Sequence, residues 1–432
     1  MFRKGEIMVN QLLQNLIQHA YKTVPYYKRM FDDYGIDPET IKTKEDLPRL
    51  PVLTKEQIQE SPDKFLSEDY LYYPKNKDLI ICRTSGSTGK FLKIYWSKQD
   101  DIRSKFHLWR MRNKYYNIEP QDKFCSFHTT VYTNNKLVNM LDSMIFYNGR
   151  NLSFNKANMG FENIEEYYKK ITEFKPKWLF IQPSIAFLIA EYLDKNNLVV
   201  PEELKYIELT GEYLFNNYRR RIEEVFKVKT ANQYGCNEAN CIAIECPYGH
   251  FHCMDKNVIV EIQNNGSVVN RGDEGEIIIT CLTNTTMPFI RYAIGDRGIL
   301  YEGRECDCGN RTSELELLSG RVSEYILSPA KEPLSCYIFL RPIESINSRM
   351  GNPIKQFQVK QNSLKKFTLI MSLRNSFNNW KDTICKEFKE ETKALGFHNT
   401  EWEFIFCDCI LPDATNGKLR FFINEMKEGA HI

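Results

Sequence analysis

No apolar run in these 432 residues approaches the roughly 20 that span a bilayer; stretches such as Trp178 to Ile181 are far shorter. Membrane insertion is not expected, and the opening MFRKGEIMVNQ is too polar for a secretory leader, so a cytoplasmic protein is expected. An excess of one charge is missing as well. Lys and Arg number 58 against 56 Asp and Glu, a formal +2, which speaks against a nucleic-acid coat or a polybasic membrane anchor. Glycine and proline, 21 and 17 residues, are too sparse for a fibrous or low-complexity chain. Thirteen cysteines are few and odd in number for this length, which fits reduced thiols and a metal site better than a disulfide framework. With 42% hydrophobic and 13% aromatic residues the chain is a folded one, long enough for one large body and an appendage.

Apolar spacing predicts an amphipathic helix over Met8 to Tyr21, read as core packing because its polar face carries Gln and Asn rather than Lys and Arg. Thr54, three residues before Gln57, is expected to cap a further helix. From Leu79 the pattern turns to strand, loop and strand, then to helices around Asp101 to Lys114 and Glu162 to Thr172. WLFIQP, at Trp178 to Pro183, reads as a buried parallel strand feeding a helix. A charged helix is predicted over Phe215 to Phe226, with Arg219 and Glu223, and Arg220 and Glu224, paired four apart on a solvated face. Strands dominate after Gly272, SGRVSEYI at Ser319 to Ile326 looks like a junction, and a small α+β unit follows with a helix from about Asn379 to Leu395 closed by Gly396. The expected fold is α/β, a large body with parallel and mixed sheets plus a small mobile α+β C-terminal domain.

The strongest local signal is the loop Thr84, Ser85, Gly86, Ser87, Thr88, Gly89, Lys90. Two glycines permit close backbone approach, and N–H groups and hydroxyls can wrap phosphate oxygens. Gly86 and Gly89 are separated by two residues, so it is not a Walker P-loop, and it is neither GxSxG nor GxGxxG. Three later stretches complete a constellation. NQYGCNE offers an aromatic for adenine, Tyr234, followed by Gly235, and a carboxylate for magnesium, Glu238. RYAIGD sets Asp296 after a turn, where it could accept both hydroxyls of a ribose, and PDATNGKLR carries Lys418 directly after a glycine near the tail.

In order and spacing these stretches resemble the adenylate-forming superfamily of acyl and aryl ligases, in particular the branch of phenylacetate-CoA ligase and CapK-like proteins. The likeness covers nearly the whole chain, including HAYKTVPYYKRMF and DLPRLPVLTKE near its start. It implies that Thr84 to Gly89, with Lys90 and Lys93 nearby, hold ATP phosphates, that Tyr234 stacks on adenine beside Gly211 and Glu212, and that Glu238 holds magnesium. Asp296 then binds the ribose, Arg321 follows the hinge-side glycine, and Lys418 is the mobile adenylation lysine. Lys418, Glu238 and Thr84 are the residues expected to act at the reacting phosphate. His128 and Tyr213 are expected in the wall of the acid pocket, with an aromatic acid as the family-level expectation. The body spans residues 1–321 and the lysine-bearing domain 322–432.

Departures from the family pattern are Phe91 for a proline, Asn237 for a threonine, Ser323 with Glu324 beside it for a hinge acid, and no glycine in YILSPAKEPLSC. The acceptor of the acyl-adenylate is therefore open between coenzyme A, a carrier-protein thiol and an amine, the last in a polysaccharide or secondary-metabolite pathway. A reading of another class is a zinc-stabilised nucleotide-binding protein without turnover, against which Lys418 argues. A homodimer is compatible with either. Cys246 and His252 flank a turn in ECPYGHFHC, and Cys306 and Cys308 lie in ECDCGN, so four soft ligands could form a closed structural zinc site, with His250 and Cys253 as substitutes. Cys407 and Cys409 alternate within an apolar stretch and are expected in the core.

Overall fold

The computed structural model describes residues 2–71, 79–83, 92–128, 130–133, 136–139, 145–156, 161–264, 266–269, 272–321, 325–329, 331, 333–411 and 419–426. Thirteen of the described strands form one mixed sheet. Its centre is a parallel block in the spatial order Asn151–Asn155, Phe124–His128, Trp178–Ile181, Tyr206–Thr210 and Lys229–Cys236. Parallel neighbours need crossovers, and the helices Phe161–Phe174, Pro183–Lys195 and Asn216–Phe226 supply them. Beyond Lys229–Cys236 the pairing turns antiparallel through Asn240–Glu245, Phe251–Cys253, Glu314–Arg321 and Tyr292–Tyr301. No described helix is long and apolar enough to cross a membrane.

One face of the parallel block packs Phe127, Phe154, Ile181, Ile207 and Leu209 against the crossover helices in a continuous core. The other face is covered by the helix Lys98–Tyr116, which starts where Ser97 accepts a hydrogen bond from Asp100 N and ends on Asn117 in the left-handed region. That helix carries few apolar residues, and its contact is built on a buried ion pair. Arg112 donates through Nε to Glu208 Oε2 at 2.7 Å and through Nη2 to Oε1 at 2.5 Å, with its guanidinium over the rings of Trp109 and Trp178.

The first helix runs Phe2–Thr23 and buries Leu13, Leu16, Ile17 and Ala20, the stripe its spacing predicts. Both halves of the Thr54 and Gln57 capping pair form. Arg291, at a positive φ, pairs with Glu261 and donates to the carbonyl of Leu50, tying the LPRLP stretch to the large sheet. In the charged helix the pairing differs from expectation. Arg219 reaches Glu223 only at 4.0 Å and closes on Glu245 at 2.6 Å; Arg220 donates to Asn352 and the buried Arg221 pairs with Glu191 and Asp194. Partners on other elements lie closer than those four residues away.

After residue 321 the strands belong to other sheets. Ile354–Gln361, Lys366–Leu373, Glu401–Phe406 and Phe422–Asn424 form a four-stranded sheet beside the helices Leu340–Met350 and Lys381–Ala394. Phe357 and Phe421 of this unit pack on Phe215 of the large one, at ring separations of 5.8 and 5.9 Å. Cys407 and Cys409 follow the strand Glu401–Phe406 rather than lying within it, and both are only half-buried.

Candidate active site

A cleft of about 590 Å³ opens at the carboxyl end of the parallel strands, where Gly211, Tyr234, Asp296 and Leu419 meet. Ligands of open α/β sheets bind at this edge because the strand-to-helix turns leave backbone groups unpaired there. Tyr234 sits at a bulge near the end of its strand. The next residue has to be glycine, since a Cβ on Gly235 would lie 2.1 Å from Asn240 O. The Tyr234 hydroxyl donates to Asp296 Oδ2 at 2.8 Å, so the residues expected to hold adenine and ribose touch although 62 positions separate them. Asp296 is itself at a bulge, in register with Arg321 across the strand pair.

Gly211, at a φ of +80°, turns the chain so that the half-buried Glu212 faces the cleft. Its carboxylate accepts from Ser184 N at 3.1 Å and from Leu419 N at 3.4 Å. Burial pushes the Glu212 carboxyl up, opposed by Ser184, Lys156 and Leu419. The contact matters for placement, because Leu419 directly follows Lys418. Lys418 lies outside the described residues, as do Thr84, Ser85, Gly86, Ser87, Thr88, Gly89, Lys90 and Phe91, the junction residues Ser323 and Glu324, and the side chain of Arg321.

The strands flanking the Ser/Thr/Gly loop are described. Ile80–Arg83 and Lys93–Trp96 pair as a hairpin, and the Trp96 indole donates to Asn237 O at 2.9 Å. Burial pushes the Cys82 thiol up to about 11, with the neighbouring Glu238 carboxylate adding to it. The hairpin is thus anchored beside Glu238, which is 5% exposed and accepts from the Tyr292 hydroxyl at 3.0 Å. Glu238 and His128 do not line the cleft itself. His128 ends its strand half-buried, and burial together with Lys156 lowers its pKa to about 4, so its ring is neutral near pH 7. Tyr213 is 38% exposed on the cleft wall, edge-on to Phe215.

Cys246, His252, Cys306 and Cys308 bring one ligand atom each to within 4.8 Å of one another. Cys246 Sγ lies 3.7 Å from Cys306 Sγ, and Cys308 Sγ lies 3.2 Å from His252 Nε2. Tetrahedral bonds of about 2.3 Å to sulfur and 2.0–2.1 Å to nitrogen put ligand atoms roughly 3.5–3.8 Å apart, so this set fits a four-coordinate soft metal. Tyr115 Oη and Asn310 N donate to Cys308 Sγ at 3.2 and 3.3 Å, hydrogen bonds of the kind that hold a ligating thiolate. His250 instead pairs with Glu314 at 2.7 Å, and Cys253 is buried in the core. The His250–Glu314 pair lines the cleft, and no pattern in the sequence announced it.

Among solved structures, 2-hydroxyisobutyryl-CoA ligase in its postadenylation state superposes with a TM-score of 0.76 at 17% identity, over 96% of this chain and 88% of that one. The fold is that of the adenylate-forming ligases. The curated relatives agree with it. CapK of Staphylococcus aureus is 25% identical over 423 residues, 97% of this chain and 89% of CapK. A phenylacetate-coenzyme A ligase of Thermus thermophilus is 25% identical over 340 residues, 75% of this chain and 72% of that ligase. No family model matches. On the adenylate-forming fold described here, Gly211, Glu212, Tyr213, Tyr234, Gly235 and Asp296 lie around one cleft, Glu238 stands behind it against the hairpin, and the four metal-ligand candidates form a separate cluster.

Proposed function

We propose that this chain is an ATP-dependent, AMP-forming carboxylate ligase that activates a small carboxylic acid as its acyl-adenylate and passes it to a thiol, coenzyme A before a carrier protein. One observation carries the reading: Tyr234 and Asp296 touch at 2.8 Å in the cleft that also receives Leu419, the neighbour of Lys418. The named activities of the phenylacetate-coenzyme A ligase and 2-hydroxyisobutyryl-CoA ligase relatives support the same chemistry. Residues 1–321 form the body that binds nucleotide and acid, and residues 322–432 bring the lysine. A cytoplasmic location is part of the proposal, supported by the free thiols of the described cysteines, which fit a reducing compartment.

In this reading Tyr234 presents its ring to adenine, and Asp296 takes the ribose hydroxyls in exchange for the Tyr234 hydroxyl. The loop Thr84 to Lys90, hung from the hairpin beside Glu238, wraps the phosphates. Glu238 is a hard oxygen donor suited to magnesium, which when bound neutralises charge on the phosphate oxygens. The acid carboxylate attacks the α-phosphorus, the bond to the bridging oxygen breaks, and pyrophosphate leaves. Lys418 stabilises the charge gathered in that transition state. Purified protein should catalyse acid-dependent ATP–pyrophosphate exchange, and adding coenzyme A should yield the acyl thioester. Exchange without thioester would move the proposal to a carrier or amine acceptor, and no exchange with any acid would end it.

The Cys246, His252, Cys306 and Cys308 cluster is proposed to hold structural zinc, since three sulfurs and one nitrogen fill a tetrahedron and leave no position for a substrate. Protein purified without chelators should carry about one zinc per chain. The paired Cys306→Ser and Cys308→Ser change should abolish that content and lower Tm, whereas a content far below one in the unaltered chain refutes the site.

A further inference from the structure

The parallel block differs between its two faces at the edge where the cleft opens. Toward the crossover helices the last row reads Phe154, Phe127, Ile181 and Leu209, all fully buried, and ends on the half-buried Asn232 at the cleft. One residue further on, facing the other way, the row reads Asn155, His128, Gln182, Thr210 and Gln233. His128 is in register with Asn155, Thr210 with Gln233, and Gln182 continues its strand in extended conformation. Strands buried on both faces ordinarily read as near-continuous apolar runs. Five hydrogen-bonding side chains across five strands break that rule at the carboxyl edge, as Ser126, Ser153 and Glu208 do one row below.

Two of these side chains are buried and incompletely satisfied. Gln182 and Gln233 are each 7% exposed, and neither Gln182 Oε1 nor Gln233 Oε1 has a hydrogen-bond partner among the described residues. The row below is different. Ser126 Oγ bonds Ser153 Oγ at 2.9 Å and Asn151 Oδ1 at 3.0 Å, so its polar groups are matched internally. Leaving a buried acceptor unmet costs on the order of 1–3 kcal/mol, so two kept open at one edge point to donors that arrive with a ligand. One amide lines the cleft and the other lies directly behind its Gly211 turn. Gln233 is the first, and Gln182 Nε2 donates to Phe127 O at 3.4 Å while its Cγ lies 3.9 Å from where a Cβ on Gly211 would be.

We propose that this row is the floor of the acid subsite and that Gln182 and Gln233 select an acid carrying hydrogen-bond donors, hydroxyl or amino groups on its ring or chain. The inference rests on the ligase reading and narrows its substrate class. Amide oxygens only accept, so an unsubstituted acid leaves both of them desolvated and unpaired, and sites of this kind discriminate strongly against analogues that lack the donor.

Matched acids test it on the unaltered protein: benzoate against its hydroxy and amino derivatives, phenylacetate against hydroxyphenylacetates, propionate against lactate and 3-hydroxypropionate. The best substituted acid should exceed its parent in kcat/KM for pyrophosphate exchange by roughly 10²-fold or more. Gln182→Met, near in volume but without the amide oxygen, should shrink that ratio by about tenfold, the equivalent of one lost hydrogen bond, and Gln233→Met should act in the same direction. A purely structural role would lower both acids together and leave the ratio unmoved. Parents exchanged as well as their substituted partners, or a ratio unchanged in both variants, would overturn the inference while the ligase reading stands. No exchange with any acid would remove both.

Discussion

Replacing Lys418 by Ala should lower acid-dependent pyrophosphate exchange by roughly 10²- to 10³-fold while ATP affinity stays within a few-fold. In-line attack at the α-phosphorus gathers negative charge on oxygens that are less charged in bound ATP, so an ammonium placed there stabilises the transition state more than the ground state. Nucleotide affinity is expected to come from other groups, Tyr234, Asp296 and the Gly211 turn, none of which the substitution touches. Leu419 N already hydrogen-bonds to Glu212 Oε1 at that turn, which ties the chain next to Lys418 to the cleft. Lys418→Arg keeps the charge but changes its shape and reach, and should fall between Ala and the parent. Equilibrium binding of ATP and exchange rates measured on the same preparations separate the two effects. Exchange that survives Lys418→Ala intact would show that the lysine has no part in adenylation.

The second large effect is on stability. Arg112→Met should cost about 3–5 kcal/mol, because it leaves the Glu208 carboxylate, 0% exposed, without its counter-charge. The guanidinium makes two hydrogen bonds to Glu208 and stacks on Trp109 and Trp178, while the Tyr206 hydroxyl donates to Glu208 Oε2 at 3.1 Å. Burial works against the charge on Arg112, but Glu208 outweighs it and raises the Arg112 pKa. At roughly 2–4 °C per kcal/mol, Tm should fall by about 10 °C. Adding Glu208→Leu to Arg112→Met should restore most of the loss, because a buried ion pair is often no more stable than the apolar residues that replace it. A Tm drop under about 2 °C for the single change would mean that Glu208 finds another partner or water.

Patterns that repeat within one element were legible in the sequence. The first helix, the parallel strand Trp178–Ile181, the Thr54 cap and the tail helix Lys381–Ala394 with Gly396 behind it all follow from local spacing. Pairings between elements were not. Arg219 has Glu223 four residues away, but Glu245, at the end of the strand Asn240–Glu245, is closer in space. Tyr234 and Asp296, or His250 and Glu314, meet because the antiparallel strands fold back, and no local rule encodes that return. Gln182 shows the intermediate case. A glutamine at the end of an apolar strand, before proline, reads as the edge of a turn until the register aligns it with His128, Thr210 and Gln233.

Asp296 and Arg321 are opposite one another on neighbouring strands, and Arg321 is the last residue before the chain leaves the large sheet. In the proposed reading the seat for a nucleotide sugar therefore also stands at the chain's exit toward the tail unit. In that reading a turn of the tail unit at this exit would carry Leu419 past a sugar that stays seated on the large sheet, so approach of the tail and retention of the nucleotide would be separable.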